Sequence, residues 1–139
     1  MNKVQLAQTT KDPEILDELS HDKDWYVRRY VAENLNTKPE TLNYLSRDKN
    51  DSVRCGVPLN PNTKPETLDV LSRDEDPYLR CYVASNLNTN PETLEYLSQD
   101  KDSYLRCRVA QKPNYSERAY KYIKGLELIE SLSEVSTQS

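Results

Sequence analysis

The sequence predicts an all-α fold: an α-solenoid of about four tandem 26-residue repeats, each a pair of short helices, closed by a C-terminal capping helix. The clearest observation is the even spacing of Pro13, Pro39, Pro65 and Pro91, and leucine, serine, aspartate, arginine and valine columns keep the same 26-residue step. Only 35% of the 139 residues are hydrophobic, and Phe is absent. That material is thin for one globular core, but stacked repeats bury contacts only to their neighbours.

The repeat boundaries divide the chain into four parts. We expect residues 1–11 to form an N-terminal cap, 12–115 to hold the repeats, 116–133 to form an amphipathic capping helix, and 134–139 to be a disordered tail. Caps are needed because a solenoid cannot leave its last apolar faces bare. The apolar stripe of the C-terminal helix could instead pair with another chain, so a monomer and a weak dimer through that helix both stay open.

The first helix of each repeat is expected to begin at its proline, where the missing N–H costs nothing. Three repeats place a threonine three residues before a glutamate, as in Thr37 and Glu40, which is the spacing of a capping box. Leucines three residues apart, such as Leu42 and Leu45, share one face of this helix. The segment is short enough for either α or 3₁₀ geometry.

The second helix follows an acidic bend. In the first repeat its predicted buried positions are Val27, Val31 and Leu35. Asparagine tolerates left-handed backbone, so the column that begins at Asn34 is expected to end this helix. Helices this short are not stable alone and must stack on their neighbours. The expected N-caps of the second helices are Asp24, Asn50, Asp76 and Asp102.

The repeat signature P-E-x-L-x-x-L-S-x-D-x-D/N-x-x-V/L-R-x-x-V-A-x-N, read from Pro65 to Asn86, resembles the leucine-rich repeat variant family. The resemblance covers roughly residues 12–114, and the chain is similar more loosely to HEAT-like repeats. It implies a right-handed superhelix of alternating α and 3₁₀ helices, and a role in macromolecular binding. A member of that family carries an iron–sulfur cluster in a separate cysteine-rich segment before its repeats. This sequence has no such segment, so we expect no cofactor.

Composition narrows the classes of function. The net charge of −4 gives no broad basic field for nucleic acid, and two glycines nearly exclude glycine-rich phosphate loops. No segment approaches the ~20 apolar residues of a membrane span, and the first ten residues lack the apolar stretch of a signal peptide. Three dispersed cysteines are expected to be reduced thiols, which favours a reducing compartment, most simply the cytoplasm.

Acidic and basic columns are the first candidate constellation. Each aspartate lies six residues before an arginine, across the bend, and the pair recurs in every repeat. Because guanidinium suits carboxylate geometry, we expect a structural ladder within or between neighbouring repeats. The alternative is a row of arginines that binds phosphates, as in nucleic acid, or an acidic peptide. The columns are Asp22, Asp48, Asp74 and Asp100, with Arg28, Arg54, Arg80 and Arg106.

The surface of the second helices is the second candidate. Tyrosine and arginine are preferred in binding hot spots, whereas the cysteines are expected to be small packing residues too far apart for a metal or a disulfide. Redox sensing stays open because a neighbouring arginine can lower a thiol pKa. The second repeat departs from the others: Pro58 should bend or shorten its helix, or Gly56 could leave a notch that admits a partner side chain. The predicted partner-binding residues are Arg29, Tyr30, Cys55, Gly56, Cys81, Tyr82 and Cys107.

The sequence gives little support to catalysis. His21, the one histidine, lies on a bend with no obvious nucleophile nearby, and the repeated aspartates offer one environment four times, whereas acid–base pairs need two. We therefore expect a non-enzymatic scaffold that binds a protein or peptide on the second helices. Binding of nucleic acid through the arginine column is the alternative.

Overall fold

The computed structural model describes residues 1–110, and within them the chain is all-α, with nine short helices and no strand. This confirms the predicted all-α class, whereas the solenoid arrangement stays a prediction. The predicted capping helix at 116–133, the tail at 134–139 and the end of the fourth repeat lie outside the described residues. The helices are α1 Lys3–Thr9, α2 Pro13–Leu19, α3 Trp25–Glu33, α4 Pro39–Leu45, α5 Asp51–Gly56, α6 Pro65–Leu71, α7 Pro77–Ser85, α8 Pro91–Ser98 and α9 Ser103–Ala110.

Helix packing follows the order of the repeats. The second helices α3, α5, α7 and α9 pack on one another in sequence, and α1 packs on α3 as the helix of a preceding repeat would. The first helices α2, α4, α6 and α8 each pack against neighbouring second helices. Contacts between nearest neighbours are what stacked repeats need. The right-handed superhelical path stays a prediction.

One continuous apolar core runs through the described repeats. Each first helix contributes two leucines, such as Leu42 and Leu45. Each second helix contributes at least two aliphatic side chains, such as Val27 and Val31, when Val57 at the C-cap of α5 is counted with that helix. Ala7 of α1 joins the same cluster. The 26-residue step therefore places equivalent side chains at equivalent depths. The remaining members are Leu16, Leu19, Ala32, Val53, Val57, Leu68, Leu71, Leu79, Val83, Ala84, Leu94, Leu97, Leu105 and Val109.

Side-chain N-caps begin the second helices, as predicted. The Asp24 carboxylate accepts from the Tyr26 amide at 2.9 Å. The Asn50 side chain accepts from the Ser52 amide at 2.8 Å. Each bond satisfies a donor that the first helical turn leaves unpaired. Asp76 and Asp102 accept in the same way from the amides of Tyr78 and Leu105.

The capping boxes predicted for the first helices are wrong, and so is the alternation of α and 3₁₀ helices that the family resemblance implies. The Thr37 hydroxyl is buried and donates to the Val31 carbonyl at 2.6 Å, so it satisfies the end of α3 and does not cap α4. Thr63 bonds Val57, and Thr89 bonds Val83, in the same way. All described helices are α, because bonds between residues four apart, such as Ser46 N–H to Leu42 O at 2.9 Å, close their turns.

Two expectations about the end of the second helix are also wrong. Asn34 has φ −74° and ψ 128°, and no described non-glycine residue has positive φ. Asn34 is the C-cap of α3 in extended backbone, and its backbone N–H donates to the Val31 carbonyl. Leu35 lies beyond the helix end and is 66% exposed, because α3 stops at Glu33 before a third apolar position can turn inward.

The second repeat departs from the others where the sequence indicates. Helix α5 has six residues, against nine in α3 and α7, because Pro58 cannot supply the N–H that would continue it. Gly56 forms no notch, since it is buried against α3. A Cβ at this position would lie 3.0 Å from the Ala32 Cβ. The glycine therefore permits close helix packing.

Candidate protein-interaction surface

The arginine and aspartate columns form a ladder between neighbouring repeats. The Arg80 guanidinium donates to the Asp100 carboxylate at 2.8 and 3.0 Å, and also to the Asp74 carbonyl at 2.7 Å. Both charged side chains are more than nine-tenths buried. Arg80 thus joins the bend of its own repeat to the bend of the next, whereas exposed Arg106 donates to the Asp100 carbonyl of its own repeat. Arg28 makes equivalent bonds to Asp48 and Asp22, and Arg54 to Asp74 and Asp48.

The ladder changes the electrostatics of its members. The hydrogen bond to Asp48 raises the pKa of Arg28 above its usual value, against the opposing effect of burial. At the N-terminal end, Lys3 of α1 lies 3.0 Å from the Asp22 carboxylate, where a preceding repeat would place an arginine. The Asp24 backbone amide, together with Lys3, lowers the pKa of Asp22. Arg28, Arg54 and Arg80 are therefore engaged inside the protein and are poorly placed to bind phosphate.

A second ladder, built by asparagine, was missed by the sequence reasoning. The Asn60 amide donates to the carbonyls of Ala32 and Asn34, both at 2.8 Å, and its oxygen accepts from the Asn62 amide at 2.9 Å. It therefore satisfies carbonyls at the end of the preceding second helix. The invariant spacing of Asn34, Asn60 and Asn86 was the available signal. Asn34 bonds Ala7 and Thr10, and Asn86 bonds Pro58 and Asn60, in the same way.

The exposed side of α3, α5, α7 and α9 is called here the second-helix face. Of the partner-binding residues that the sequence predicts, Tyr82 and Cys107 are exposed there, and Arg29 is half-buried beside Glu33 at 2.9 Å. Tyr30 and Cys81 are also half-buried, and Gly56 is buried. The predicted residues therefore do not form one open surface.

Three tyrosines that the prediction omitted are the most exposed aromatic side chains of this face. Tyr26 is 53% exposed, Tyr78 69% and Tyr104 63%, and they occupy the same position in repeats one, three and four. Tyr78 and Tyr104 flank a cleft of about 340 Å³ whose lining includes Pro77, Cys81 and Leu105. Because these tyrosines do not complete the apolar stripe of their helices, their position in the repeat could have identified them as surface residues.

A second apolar cleft lies at the other end of α7. It has a volume of about 420 Å³, and Leu59, Tyr82 and Leu87 line it together with Pro58 and Pro61. Leu59 and Leu87 are at least half exposed. The early end of α5 at Pro58 helps to form this cleft, because the chain turns away where α3 and α7 continue. Helix α7 therefore carries apolar clefts at both ends.

The cysteine environment does not favour an activated thiol at Cys55. Its sulfur lies 3.6 Å from the Asp76 carboxylate and donates to it. Burial raises the pKa of Cys55 to about 12, and the Asp76 charge acts in the same direction. The idea that an adjacent arginine lowers this thiol pKa is therefore wrong for Cys55. Cys55, Cys81 and Cys107 form no disulfide among the described residues.

Residues 1–110 contain no group of three or more histidine, cysteine, aspartate or glutamate side chains arranged to hold a metal ion. Within the same part of the chain, no helix has the length and apolar character needed to cross a membrane. No family model, curated protein or solved structure matches this chain. The resemblance to leucine-rich repeat variants therefore stays a prediction that rests on the repeat signature.

Proposed function

We propose that the chain is an α-solenoid of the leucine-rich repeat variant type that acts as a non-enzymatic scaffold and binds a protein or peptide on its second-helix face. The observation that carries this proposal is the pair of apolar clefts on α7, flanked by exposed tyrosines. Tyrosine supplies a large apolar ring and a hydroxyl that tolerates water, which makes it frequent in binding hot spots. Three dispersed cysteines that are not paired in disulfides favour a reducing compartment such as the cytoplasm.

The ladders support this role because they hold the repeats in register without using the exposed face. The buried Arg80–Asp100 pair and the buried Asn60 amide both join neighbouring repeats. A face supported in this way presents its side chains in fixed positions, which lowers the entropy cost of binding. Partner contacts could therefore vary without loss of the fold.

Binding of nucleic acid through the arginine column is less well supported. Arg28, Arg54 and Arg80 donate to carboxylates and carbonyls, so each would have to break a buried ion pair to bind phosphate. Leaving a buried carboxylate unpaired is costly. Binding carried by phosphate contacts would also fall steeply as salt is added.

The repeat array itself suggests variants for testing the face. Ser52 occupies the position of Tyr78 and Tyr104, so Tyr78→Ser and Tyr104→Ser place a residue that this position already accepts. We expect the double variant to lose proteins that wild type captures from the native cell extract. The matched control is Tyr96→Val on the first-helix side, because Val70 occupies that position in the preceding repeat.

The comparison is informative only if the variants fold alike, which circular dichroism and thermal melts will establish. The proposal predicts that Tyr96→Val retains the captured proteins and that the double serine variant loses them. Retention of the same proteins by both variants would eliminate the cleft between Tyr78 and Tyr104 as the binding site.

A further inference from the structure

A basic cleft lies at the bends of the first two repeats, between the first and second helices and apart from the clefts of α7. It has a volume of about 580 Å³, and its lining includes His21, Lys23, Tyr44, Arg47 and Lys49. All five side chains are exposed. We call it the first bend cleft.

The charge of this cleft is not balanced locally. Lys23, Arg47 and Lys49 make no ion pair within residues 1–110. The two carboxylates that line the cleft are already neutralised, Asp48 by Arg28 at 2.8 Å and Asp22 by Lys3 at 3.0 Å. The rim therefore carries three uncompensated positive charges on a chain whose net charge is −4.

An aromatic pair holds further hydrogen-bonding groups at the same rim. The His21 Nδ1 atom and the Tyr44 hydroxyl lie 3.1 Å apart, and the two ring centroids are separated by 4.7 Å. When Nδ1 accepts a hydrogen bond from the Tyr44 hydroxyl, the imidazole carries its own proton on Nε2, from which it can donate to a ligand. The cleft thus combines three cations with hydrogen-bonding groups of His21 and Tyr44 at its rim.

The same cleft recurs two repeats later with a different charge. The second bend cleft has a volume of about 500 Å³ and includes Arg73, Glu75, Tyr96, Gln99 and Lys101 at the equivalent positions. Glu75 and Gln99 stand where the first cleft has Lys23 and Arg47, and Arg73 stands where it has His21. Among these five positions the excess of positive charge therefore falls from three to one. Since both clefts have the same repeat architecture, stacking does not require the basic residues of the first one.

We propose that the first bend cleft binds an acidic segment of a partner protein, with aspartate and glutamate carboxylates paired to Lys23, Arg47 and Lys49. A long phosphate backbone carries charge at every step and would extend beyond the cleft along a chain of net charge −4, whereas a short carboxylate cluster fits within the cleft.

The test uses the full chain and a tetramethylrhodamine-labelled octaglutamate peptide, with binding measured by fluorescence anisotropy at about 50 mM salt, where screening is weak. The Lys23→Glu, Arg47→Gln variant gives the first cleft the residues of the second at these two positions, and His21 stays where the second cleft has Arg73. We expect its affinity for the peptide to fall by roughly tenfold or more, because attraction at the rim becomes partial repulsion. The reciprocal Glu75→Lys, Gln99→Arg variant should bind the peptide more tightly than wild type does.

Two controls separate this site from the second-helix face. The Tyr78→Ser, Tyr104→Ser variant should bind octaglutamate as wild type does, and circular dichroism should be unchanged in every variant. Equal affinity of wild type and Lys23→Glu, Arg47→Gln would overturn the proposal, as would failure of the reciprocal variant to gain affinity. Displacement of the peptide by a single-stranded oligonucleotide of equal charge at lower concentration would also overturn it, in favour of nucleic acid.

Discussion

Asn60 is the side chain whose removal tests the stacking of the repeats most sharply. It is 1% exposed, its amide donates to the carbonyls of Ala32 and Asn34, and its oxygen accepts from the Asn62 amide. In Asn60→Ala all three bonds disappear, and the Ala32 carbonyl, at the end of α3, loses its partner across the repeat boundary. Water cannot readily replace the amide because the site is buried.

The size of the effect follows from these three bonds. A typical bond contributes a net ~1 kcal/mol to stability, and a buried polar group left unsatisfied costs about 1–3 kcal/mol. We therefore expect Asn60→Ala to lower the free energy of unfolding by about 3 kcal/mol, a large part of the ~5–15 kcal/mol of an ordinary domain.

The assay is equilibrium urea unfolding followed by circular dichroism, with Asn62→Ala as the matched control. Asn62 is exposed, and its side-chain amide donates to the Leu35 carbonyl at 2.6 Å, so water can replace much of that bond. The control should lose about 1 kcal/mol or less. A loss below ~1 kcal/mol for Asn60→Ala, or equal losses in the two variants, would refute the view that the buried asparagines hold the repeats together.

Three other perturbations follow from the same structure. Burial raises the pKa of Asp100, but the Arg80 hydrogen bond and other effects outweigh burial and leave the pKa lowered. The Asp100 carboxylate therefore stabilises the fold above its unfolded pKa of about 4, and this stabilisation is lost as the pH falls through the lowered folded pKa. Arg80→Met should therefore have a lower melting temperature than wild type at pH 7, and its melting temperature should fall less on acidification. Cys55, with its pKa of about 12, should react with iodoacetamide at pH 8 at least roughly a hundredfold more slowly than an unhindered thiol, as measured by peptide mass spectrometry. Gly56→Ala should destabilise the protein by about 1 kcal/mol in urea unfolding, since overpacking against the Ala32 Cβ outweighs the gain in helix propensity, and Ala32→Gly in the same chain should recover much of the loss.

The sequence predicted the helices better than the bonds between them. Even proline spacing and the caps at Asp24 and Asn50 were sufficient for the all-α class and for the starts of the second helices. The partner of a buried threonine or asparagine could not be read from local spacing, because it lies across a turn or in the neighbouring repeat. Thr37 therefore suggested a cap for α4, whereas its hydroxyl bonds Val31 behind it in the chain.

The candidate surface was predicted less well, for a related reason. Helical periodicity places Tyr82 on the exposed side of α7, but it does not show how closely two helices approach. Gly56 suggested an opening on sequence grounds, whereas the short distance between α5 and α3 buries it. Helical position marks Tyr78 and Tyr104 as surface residues, but the cleft between them is visible only in the structure.

The most direct measurement of the central claim is hydrogen–deuterium exchange of the full chain with and without the partner that the wild type captures. The proposed function predicts slower exchange in α7 and α9, which carry Tyr78 and Tyr104, and little change in the first helices α6 and α8. Protection confined to α6 and α8, with α7 and α9 unaffected, would contradict binding on the second-helix face.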